Sequence, residues 1–210
     1  MNLQNVLNVL RTKRRLFHSE ADFQHALAWE TQSMYPEARV RLEYPWGTVA
    51  GKRAAIDILV TAAGNVIPIE LKYAKRELHI EEAGEWYRLP NQSAEDQKRY
   101  KFVYDISRVE GFVKATPGSP KGYVLWLTNN LALTKPPRKD DVCDFAFRIH
   151  DGAVVQGSMQ WGDTAGPGTT KGHEEPITLE KQYTISWHTY SDFGVRNGLF
   201  KYALIEVHAL

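Results

Sequence analysis

Two apolar segments with a short turn between them constrain the fold most strongly. Residues 54–61 and 66–73 consist largely of Ala, Ile, Leu and Val, and the turn between them contains Gly64 and Asn65. Apolar runs of this length that are bounded by turn residues are typical of β-strands. The sequence therefore predicts an antiparallel β-hairpin over residues 54–73.

Glu70 and Lys72 interrupt the apolar character of the second strand. Because side chains alternate between the two faces of a strand, Glu70 and Lys72 point the same way, whereas Ile69 and Leu71 point into a core. Two charged groups on one face of an apolar strand are costly to bury unless partners compensate their charge. This cost is the first indication of a functional site.

Asp57 lies in the first strand of the same hairpin. If the hairpin is centred on Ala63-Gly64, Asp57 faces Glu70, and the Cβ atoms of such cross-strand neighbours are about 5 Å apart. Two carboxylates at this separation repel each other unless a divalent cation binds between them, and Mg²⁺ prefers oxygen ligands. A register slip of one residue would remove the pairing. A structural ion pair among Asp57, Glu70 and Lys72 therefore remains the alternative.

Lys72 would lie beside such a cation. Its ammonium group is suited to orienting an attacking water or stabilising charge on a phosphate. The cation would lower the pKa of a bound water and neutralise phosphoryl oxygens. Asp57, Glu70 and Lys72 thus have the chemistry that phosphodiester hydrolysis needs. A second acidic-x-Lys tripeptide, residues 96–98, lies in a charged helical segment and is interpreted as surface.

The combination of Asp57 with Glu70-Leu71-Lys72, with twelve residues between the two motifs, resembles the PD-(D/E)xK nuclease superfamily. That family has the restriction-endonuclease-like fold, in which a helix, the motif-bearing hairpin, a second helix and a strand follow one another, as they do here over about residues 16–130. The resemblance implies Mg²⁺ or Mn²⁺ as cofactor and nucleic acid, with DNA favoured, as partner. Ile56 replaces the proline that names the motif, and nothing after about residue 130 matches.

Two predicted helices extend the candidate site. The resemblance implies that Glu20, in a helix predicted over residues 16–33, is a third acidic ligand and a catalytic residue. An acidic residue in the first turn, favoured by the helix dipole with Ser19 as N-cap, is the alternative. In the helix predicted from Ser93 to Lys114, a polar face and a separate apolar stripe are both present. The polar face comprises Gln97, Lys101, Asp105 and Arg108.

For this second helix, the resemblance implies auxiliary, substrate-binding roles for Gln97 and Arg108. A solvated face held together by charge pairs is the alternative, and for Lys101 it is the preferred interpretation. Further strands are predicted at 39–44, 122–128, 145–150, 153–160, 182–190 and 199–208, with a small hairpin at 78–89. Residues 162–176, rich in Gly, Pro and Thr, are predicted to form a loop.

Length and composition favour a single domain over residues 1–210, with a core at about 16–130 and a β-rich C-terminal extension at about 143–210. The single cysteine, Cys143, excludes an internal disulfide framework and favours a reducing cytoplasm. No signal-peptide pattern or membrane-spanning apolar run is apparent. The net charge of +1 decides nothing about partners.

Taken together, these patterns predict an α/β protein with a central mixed sheet flanked by helices. The predicted activity is Mg²⁺-dependent nuclease cleavage, as an endonuclease or otherwise, and a homodimer would suit an enzyme that cuts both strands. The alternative is a non-catalytic nucleic-acid- or protein-binding module on a nuclease-like fold. Histidines at zinc-ligand spacing, a phosphate-binding P-loop and a serine nucleophile elbow are all absent from the sequence.

Overall fold

A computed structural model describes residues 1–49, 52–137, 139 and 141–209. The elements in chain order are α1 (Leu3–Lys13), α2 (Glu20–Met34), β1 (Arg39–Val49), β2 (Lys52–Ala62), β3 (Asn65–Ala74), β4 (Leu78–Glu82), β5 (Glu85–Leu89), α3 (Glu95–Ala115), β6 (Lys121–Thr128), a 3-10 turn (Phe145–Phe147), β7 (Val154–Met159), α4 (Pro167–Thr170), β8 (Ile177–Thr184), β9 (Trp187–Asp192) and β10 (Leu199–His208). Within these residues, no helix combines the length and apolar character that crossing a bilayer requires.

A mixed six-stranded sheet forms the centre of the molecule, with the strand order β1-β2-β3-β6-β10-β9. Strands β3 and β6 run parallel, and the other neighbours in the sheet are antiparallel. A parallel pair needs a crossover connection, and α3 lies in that connection. The central mixed sheet flanked by helices that the sequence predicts is therefore confirmed. The C-terminal region supplies two of the six strands.

The two faces of the sheet bury separate apolar cores. Helices α1 and α2 cover one face, where Leu7 and Phe23 pack with residues of β3 that include Leu71. Helix α3 and the β7–β8 hairpin cover the other face, where Phe102 packs with Trp126 of β6. Strand β3 is therefore buried on both faces, which explains its nearly continuous apolar sequence.

The N-terminal helices differ from the predicted start at residue 16. Helix α1 has buried apolar residues at the helical spacing of three and four, a signal that the sequence interpretation missed: Leu3, Val6, Leu7 and Leu10. Helix α2 begins at Glu20 because the Ser19 side chain accepts a hydrogen bond from the Asp22 backbone N–H. Ser19 as N-cap is thus confirmed.

Four further predictions needed correction. The N-cap of α3 is Ala94, in a left-handed conformation without a side-chain cap, rather than Ser93. Strand β1 continues past the predicted end at residue 44, and pairs with β2 through an irregularity between Pro45 and Thr48. The predicted strand at 145–150 contains a 3-10 turn, and the predicted strand at 182–190 is divided between β8 and β9. Apolar runs without clear turn residues gave no signal for these boundaries.

Candidate active site

The hairpin of β2 and β3 has the register that the sequence predicts. Its residue pairs run from Ile58–Ile69 to Ala62–Asn65. Asp57 lies one residue beyond the last pair, and its Oδ2 accepts a hydrogen bond from the Leu71 backbone N–H at 2.8 Å. The Asp57 side chain therefore bridges the two strands where their ladder ends, next to Glu70.

Gln24 of α2 fixes the backbone at this point. Its side-chain Nε2 donates to the Asp57 carbonyl oxygen at 2.7 Å and to Oε1 of Glu43 at 2.8 Å. Glu43 has a positive φ of 51°, a left-handed conformation that is uncommon for a residue other than glycine. Gln24 is buried, and sequence reasoning did not identify it because its partners are a backbone group and a residue on a different strand.

Glu70 is the most deeply buried of the predicted site residues. Its side chain is 1% exposed, and its Oε1 lies 2.9 Å from Nη1 of Arg108. The contact lacks hydrogen-bond geometry, so neither carboxylate oxygen accepts a hydrogen bond from the residues described. Burial, reinforced by the carboxylates of Asp105 and Asp57, raises the pKa of Glu70 well above its ordinary value, although Arg108 and Lys72 oppose the shift.

Lys72 lies on the same strand face as Glu70, as predicted from the alternation of side chains. Its Nζ is 3.0 Å from Oδ2 of Asp105 and donates to the Leu71 carbonyl oxygen at 3.1 Å. Burial alone would lower the pKa of Lys72. The carboxylates that surround it outweigh burial and hold the pKa above its ordinary value: Asp105, Asp57, Glu20 and Glu70. Lys72 is therefore firmly cationic.

Asp105 of α3 is a member of the cluster that the sequence interpretation treated only as part of a charged helix face. Its side chain is 5% exposed, between Lys72 at 3.0 Å and Arg108 at 3.8 Å. Burial raises the pKa of Asp105 above its ordinary value, the ion pair with Lys72 opposes the shift, and Asp57 adds to it. A polar residue beside an apolar helix stripe was the available signal, but the sequence did not show which strand it faces.

Glu20 lies at the outer rim of the cluster, in the first turn of α2. Its Oε2 accepts a hydrogen bond from the Tyr73 backbone N–H at 2.7 Å, which ties α2 to β3. Partial loss of water raises the pKa of Glu20, and Asp57 and Asp105 add to the shift, whereas Lys72 and the Tyr73 N–H oppose it. The structure thus brings Glu20 towards Lys72, Asp57 and Asp105.

Of the two predicted auxiliary residues, only Arg108 lies at the cluster. It contacts Glu70 and also donates to the Ala55 carbonyl oxygen. Gln97 is instead directed to α4, where its Nε2 donates to the carbonyl oxygens of Gly168 and Thr169. The structure does not bring Gln97 to the cluster, because the loop after β7 folds over the start of α3 and supplies its partners.

The charges of the cluster do not balance. Four carboxylates, those of Glu20, Asp57, Glu70 and Asp105, surround two cations, Lys72 and Arg108, so two negative charges are uncompensated when all six groups are ionised. A divalent cation carries the charge that would balance them, and carboxylate oxygens are the ligands that Mg²⁺ prefers.

The fit to a metal ion rests on the buried Glu70 oxygens without hydrogen-bond donors. Buried polar atoms almost always have a partner, so the Glu70 oxygens need an explanation, and a bound cation would supply one. In the described part of the chain, no three acidic, His or Cys side chains are already at ligand spacing. To coordinate one ion, Glu70 would therefore have to turn from Arg108, whereas Asp57 could offer the oxygen that does not accept from the Leu71 N–H.

A cavity of about 330 Å³ opens directly beside the cluster. Its lining includes Glu20 and Lys72 of the cluster, together with Lys98, Lys101 and Trp126. Sequence reasoning assigned both of the additional lysines to the solvated surface. The cavity gives a substrate access to Lys72.

No family model, curated protein or solved structure matches this chain. The function of the cluster must therefore be inferred from its own residues and their chemistry. The arrangement offers carboxylates for a hard cation, a fixed lysine beside them and an open cavity. Together these features suit chemistry on a phosphate ester.

Proposed function

We propose that the protein is a metal-dependent nuclease of the PD-(D/E)xK type, built on a restriction-endonuclease-like core. The single observation that supports this most strongly is Glu70, a buried carboxylate that is paired with Arg108 but accepts no hydrogen bond from the described residues and lies inside an excess of negative charge. Arg108 and Lys72 offset two of the four negative charges of the cluster, and a divalent cation would offset the other two. Its position, one residue past the end of the β2–β3 ladder and beside Asp57, is where a cation would bridge two strands.

Asp57 and Glu70 would hold the metal ion, with Glu20 as a further ligand at the rim of the cavity. When bound, Mg²⁺ or Mn²⁺ lowers the pKa of a coordinated water and neutralises charge on the phosphoryl oxygens. Gln24 holds the Asp57 backbone in place. A fixed carboxylate needs less reorganisation to bind an ion than one on a mobile loop.

Lys72 would act as a cation rather than as a general base, because the surrounding carboxylates stabilise its protonated form. Its ammonium group would donate hydrogen bonds to the attacking water or to a non-bridging phosphate oxygen. Asp105 positions Lys72 through the 3.0 Å ion pair. Arg108 neutralises part of the charge of Glu70 before an ion binds.

DNA is the proposed substrate, from the family resemblance. The free thiol of Cys143 is consistent with a reducing cytoplasm, which we infer as the location.

A non-catalytic binding module on the same fold is the second candidate. The observation that favours it is that both cations of the cluster already have partners, Lys72 with Asp105 and Arg108 with Glu70. A binding module whose charged residues have only a structural role would also contain these two ion pairs. Cleavage and metal binding distinguish the two candidates, since we expect neither from such a module.

The test is cleavage of plasmid DNA and of single-stranded DNA in Mg²⁺ and in Mn²⁺ by the wild type, Asp57→Asn and Lys72→Met. Lys114→Ala is the matched control, because Lys114 lies on the far end of α3 in an exposed ion pair with Glu180. We expect activity in the wild type and the control, and a loss of at least roughly a hundredfold in both site variants. Equal products from all four proteins, or none from any, would exclude the proposal.

A further inference from the structure

A second cavity, of about 450 Å³, lies beside the segment that connects the 3-10 turn to β7. Its walls come from Pro136 and Pro137 and from the segment between Phe145 and Val154. Among the described residues, none lines both this cavity and the cavity beside the acidic cluster. The nuclease proposal assigns no role to this part of the chain.

Arg148 lines this second cavity and belongs to a group of three charged side chains that are almost fully buried. Its Nη2 lies 2.9 Å from Oδ1 of Asp144, and Nη1 of Arg99 in α3 donates to Oδ2 of the same carboxylate at 2.6 Å. The three side chains are between 3% and 13% exposed. Two guanidinium groups therefore share one carboxylate, and the group has one uncompensated positive charge.

Asp144 does not supply enough acceptors for the Arg148 guanidinium. A guanidinium has five N–H donors, and Asp144 offers Arg148 one oxygen because Arg99 bonds to the other. The Arg148 Nε is inaccessible and donates no hydrogen bond to the described residues, so a ligand in the cavity would be bound by the Nη groups. Burial, reinforced by Arg99, lowers the pKa of Arg148, and Asp144 opposes the shift. An anion in the cavity would offset the cost of burying this charge.

His150 lines the same cavity and adds no charge at pH 7. Burial lowers its pKa, the neighbouring Arg148 lowers it further, and Asp151 opposes the shift. The Asp151 side chain is exposed, and its Oδ1 accepts from the Trp187 backbone N–H at 2.8 Å, so water and the backbone already stabilise its charge. The excess charge beside the cavity is therefore the single charge of the arginine pair.

The remaining walls of the cavity are largely apolar. Phe145 and Val154 line it and are 50% and 49% exposed, which is high for large apolar side chains. Pro136 and Pro137 contribute ring carbons and no backbone N–H. Apolar walls with a few polar groups, in a volume of 300–1,000 Å³, are typical of sites for small organic ligands.

The charge and the shape of the cavity together select one class of ligand. A carboxylate carries one negative charge, which matches the excess charge of the arginine pair, whereas a phosphate monoester carries about 1.5 to 2 at pH 7. The planar guanidinium also matches the two oxygens of a carboxylate. The apolar walls require that the carboxylate be attached to an apolar body.

We propose that this cavity is a binding site for a small organic monocarboxylate with an apolar body. Arg148 binds the carboxylate, and Phe145 and Val154 pack against the body. The site is separate from the acidic cluster, and its existence does not depend on the proposed nuclease function.

The test is a titration of the full-length protein that is followed by ¹⁹F NMR of the ligand. The probe is 4-fluorobenzoate, compared with 4-fluorobenzamide, which has nearly the same shape without the charge, and with 4-fluorophenyl phosphate. We expect a Kd of about 1 mM or lower for 4-fluorobenzoate and at least about tenfold weaker binding of 4-fluorobenzamide. We expect 4-fluorophenyl phosphate to bind more weakly than 4-fluorobenzoate.

Two variants test the residues of the site. Arg148→Met should weaken binding of 4-fluorobenzoate by at least about tenfold, with thermal unfolding measured in parallel. Val154→Glu should give a similar loss, because it places a like charge at the wall without changing the buried arginine pair. Val195→Glu is the matched control, since Val195 is similarly exposed and does not line the cavity. The control should bind within about twofold of the wild type.

Lys101→Ala tests whether the probe binds in the other cavity, which Lys101 lines, and should keep the wild-type affinity. If Arg148→Met does not fold, Val154→Glu and its control decide the question. The inference would be overturned by the absence of saturable binding, or by an equal loss of affinity in Val154→Glu and Val195→Glu. Loss of binding in Lys101→Ala, or tighter binding of either comparison compound than of 4-fluorobenzoate, would also overturn it.

Discussion

Replacement of Glu70 by glutamine separates a metal site from a structural ion-pair network. In EDTA the wild-type carboxylate is buried near Asp57 and Asp105, is paired with Arg108 and accepts no hydrogen bond from the described residues. Glu70→Gln removes one of the two uncompensated negative charges and leaves an acceptor oxygen facing Arg108. Arg108 keeps the Ala55 carbonyl oxygen as a partner.

The expected change in stability follows from the cost of ionising a buried carboxylate beside two others, which the neutral glutamine amide avoids, and this cost is on the order of 1–3 kcal/mol. Glu70→Gln should therefore be more stable than the wild type in EDTA by about this amount. For a chain of this length, that corresponds to a rise of roughly 2–12 °C in unfolding temperature. With Mn²⁺ at about a hundred times its Kd, the free energy of unfolding of the wild type rises by about 2.7 kcal/mol, and that of the variant does not change. The difference in stability between the two proteins then becomes smaller or changes sign.

The pH dependence gives the same test in another form. Because the pKa of Glu70 is raised in the folded state, the folded protein binds this proton more tightly than the unfolded chain does. The contribution to stability is present below the ordinary value of 4.5 and is lost as pH rises from there through the raised pKa. In EDTA, the stability of the wild type should fall more steeply with pH above 4.5 than that of Glu70→Gln.

Glu110→Gln is the matched control, because Glu110 is a buried carboxylate on the same helix as Arg108 whose oxygens are satisfied. They accept from the Glu180 and Lys181 backbone N–H groups and from the Tyr183 hydroxyl. This control should destabilise the protein by about 1.5–3 kcal/mol with or without metal. If Glu70→Gln is instead destabilised by about 3–5 kcal/mol in EDTA, Glu70 serves chiefly as the structural partner of Arg108 and the reasoning is refuted.

Three other substitutions test the supports of the site. Lys72→Met should abolish cleavage while the protein still binds Mn²⁺, measured by calorimetry; retained activity would remove Lys72 from the chemistry. Gln24→Ala should destabilise the protein by about 1–3 kcal/mol in urea titrations and weaken Mn²⁺ binding, because it releases the Asp57 backbone; an unchanged Mn²⁺ affinity would contradict that role. Gly122→Ala should cost about 1–3 kcal/mol without changing metal affinity, because the added Cβ would lie 2.5 Å from Cγ1 of Val109; wild-type stability would show that the packing of α3 on β6 adjusts freely.

The β2–β3 hairpin could be predicted because its signals are local. Two apolar runs, a turn and one register determine the placement of Asp57 relative to Glu70, and the observed pairs have that register. Alternation also placed Lys72 on the face that α3 covers. These features depend on sequence neighbours, which is why one sequence was sufficient.

The residues that surround the hairpin could not be predicted because they depend on contacts between distant elements. Asp105 joins the cluster only because α3 crosses over β3, and Gln24 only because α2 lies beside the end of the ladder. Gln97 lies away from the cluster for the same reason, since its partners come from the loop that contains Gly168.

The central claim is that Asp57 and Glu70 hold one divalent cation at the end of the hairpin ladder. Calorimetric titration of the full-length protein with Mn²⁺ tests it most directly, with Asp57→Asn and Glu70→Gln beside Glu110→Gln as the control. The predicted result is one Mn²⁺ bound per chain in the wild type and the control, and at least about a tenfold loss of affinity in the two site variants. No Mn²⁺ binding by the wild type, or equal affinity in all four proteins, would contradict the claim.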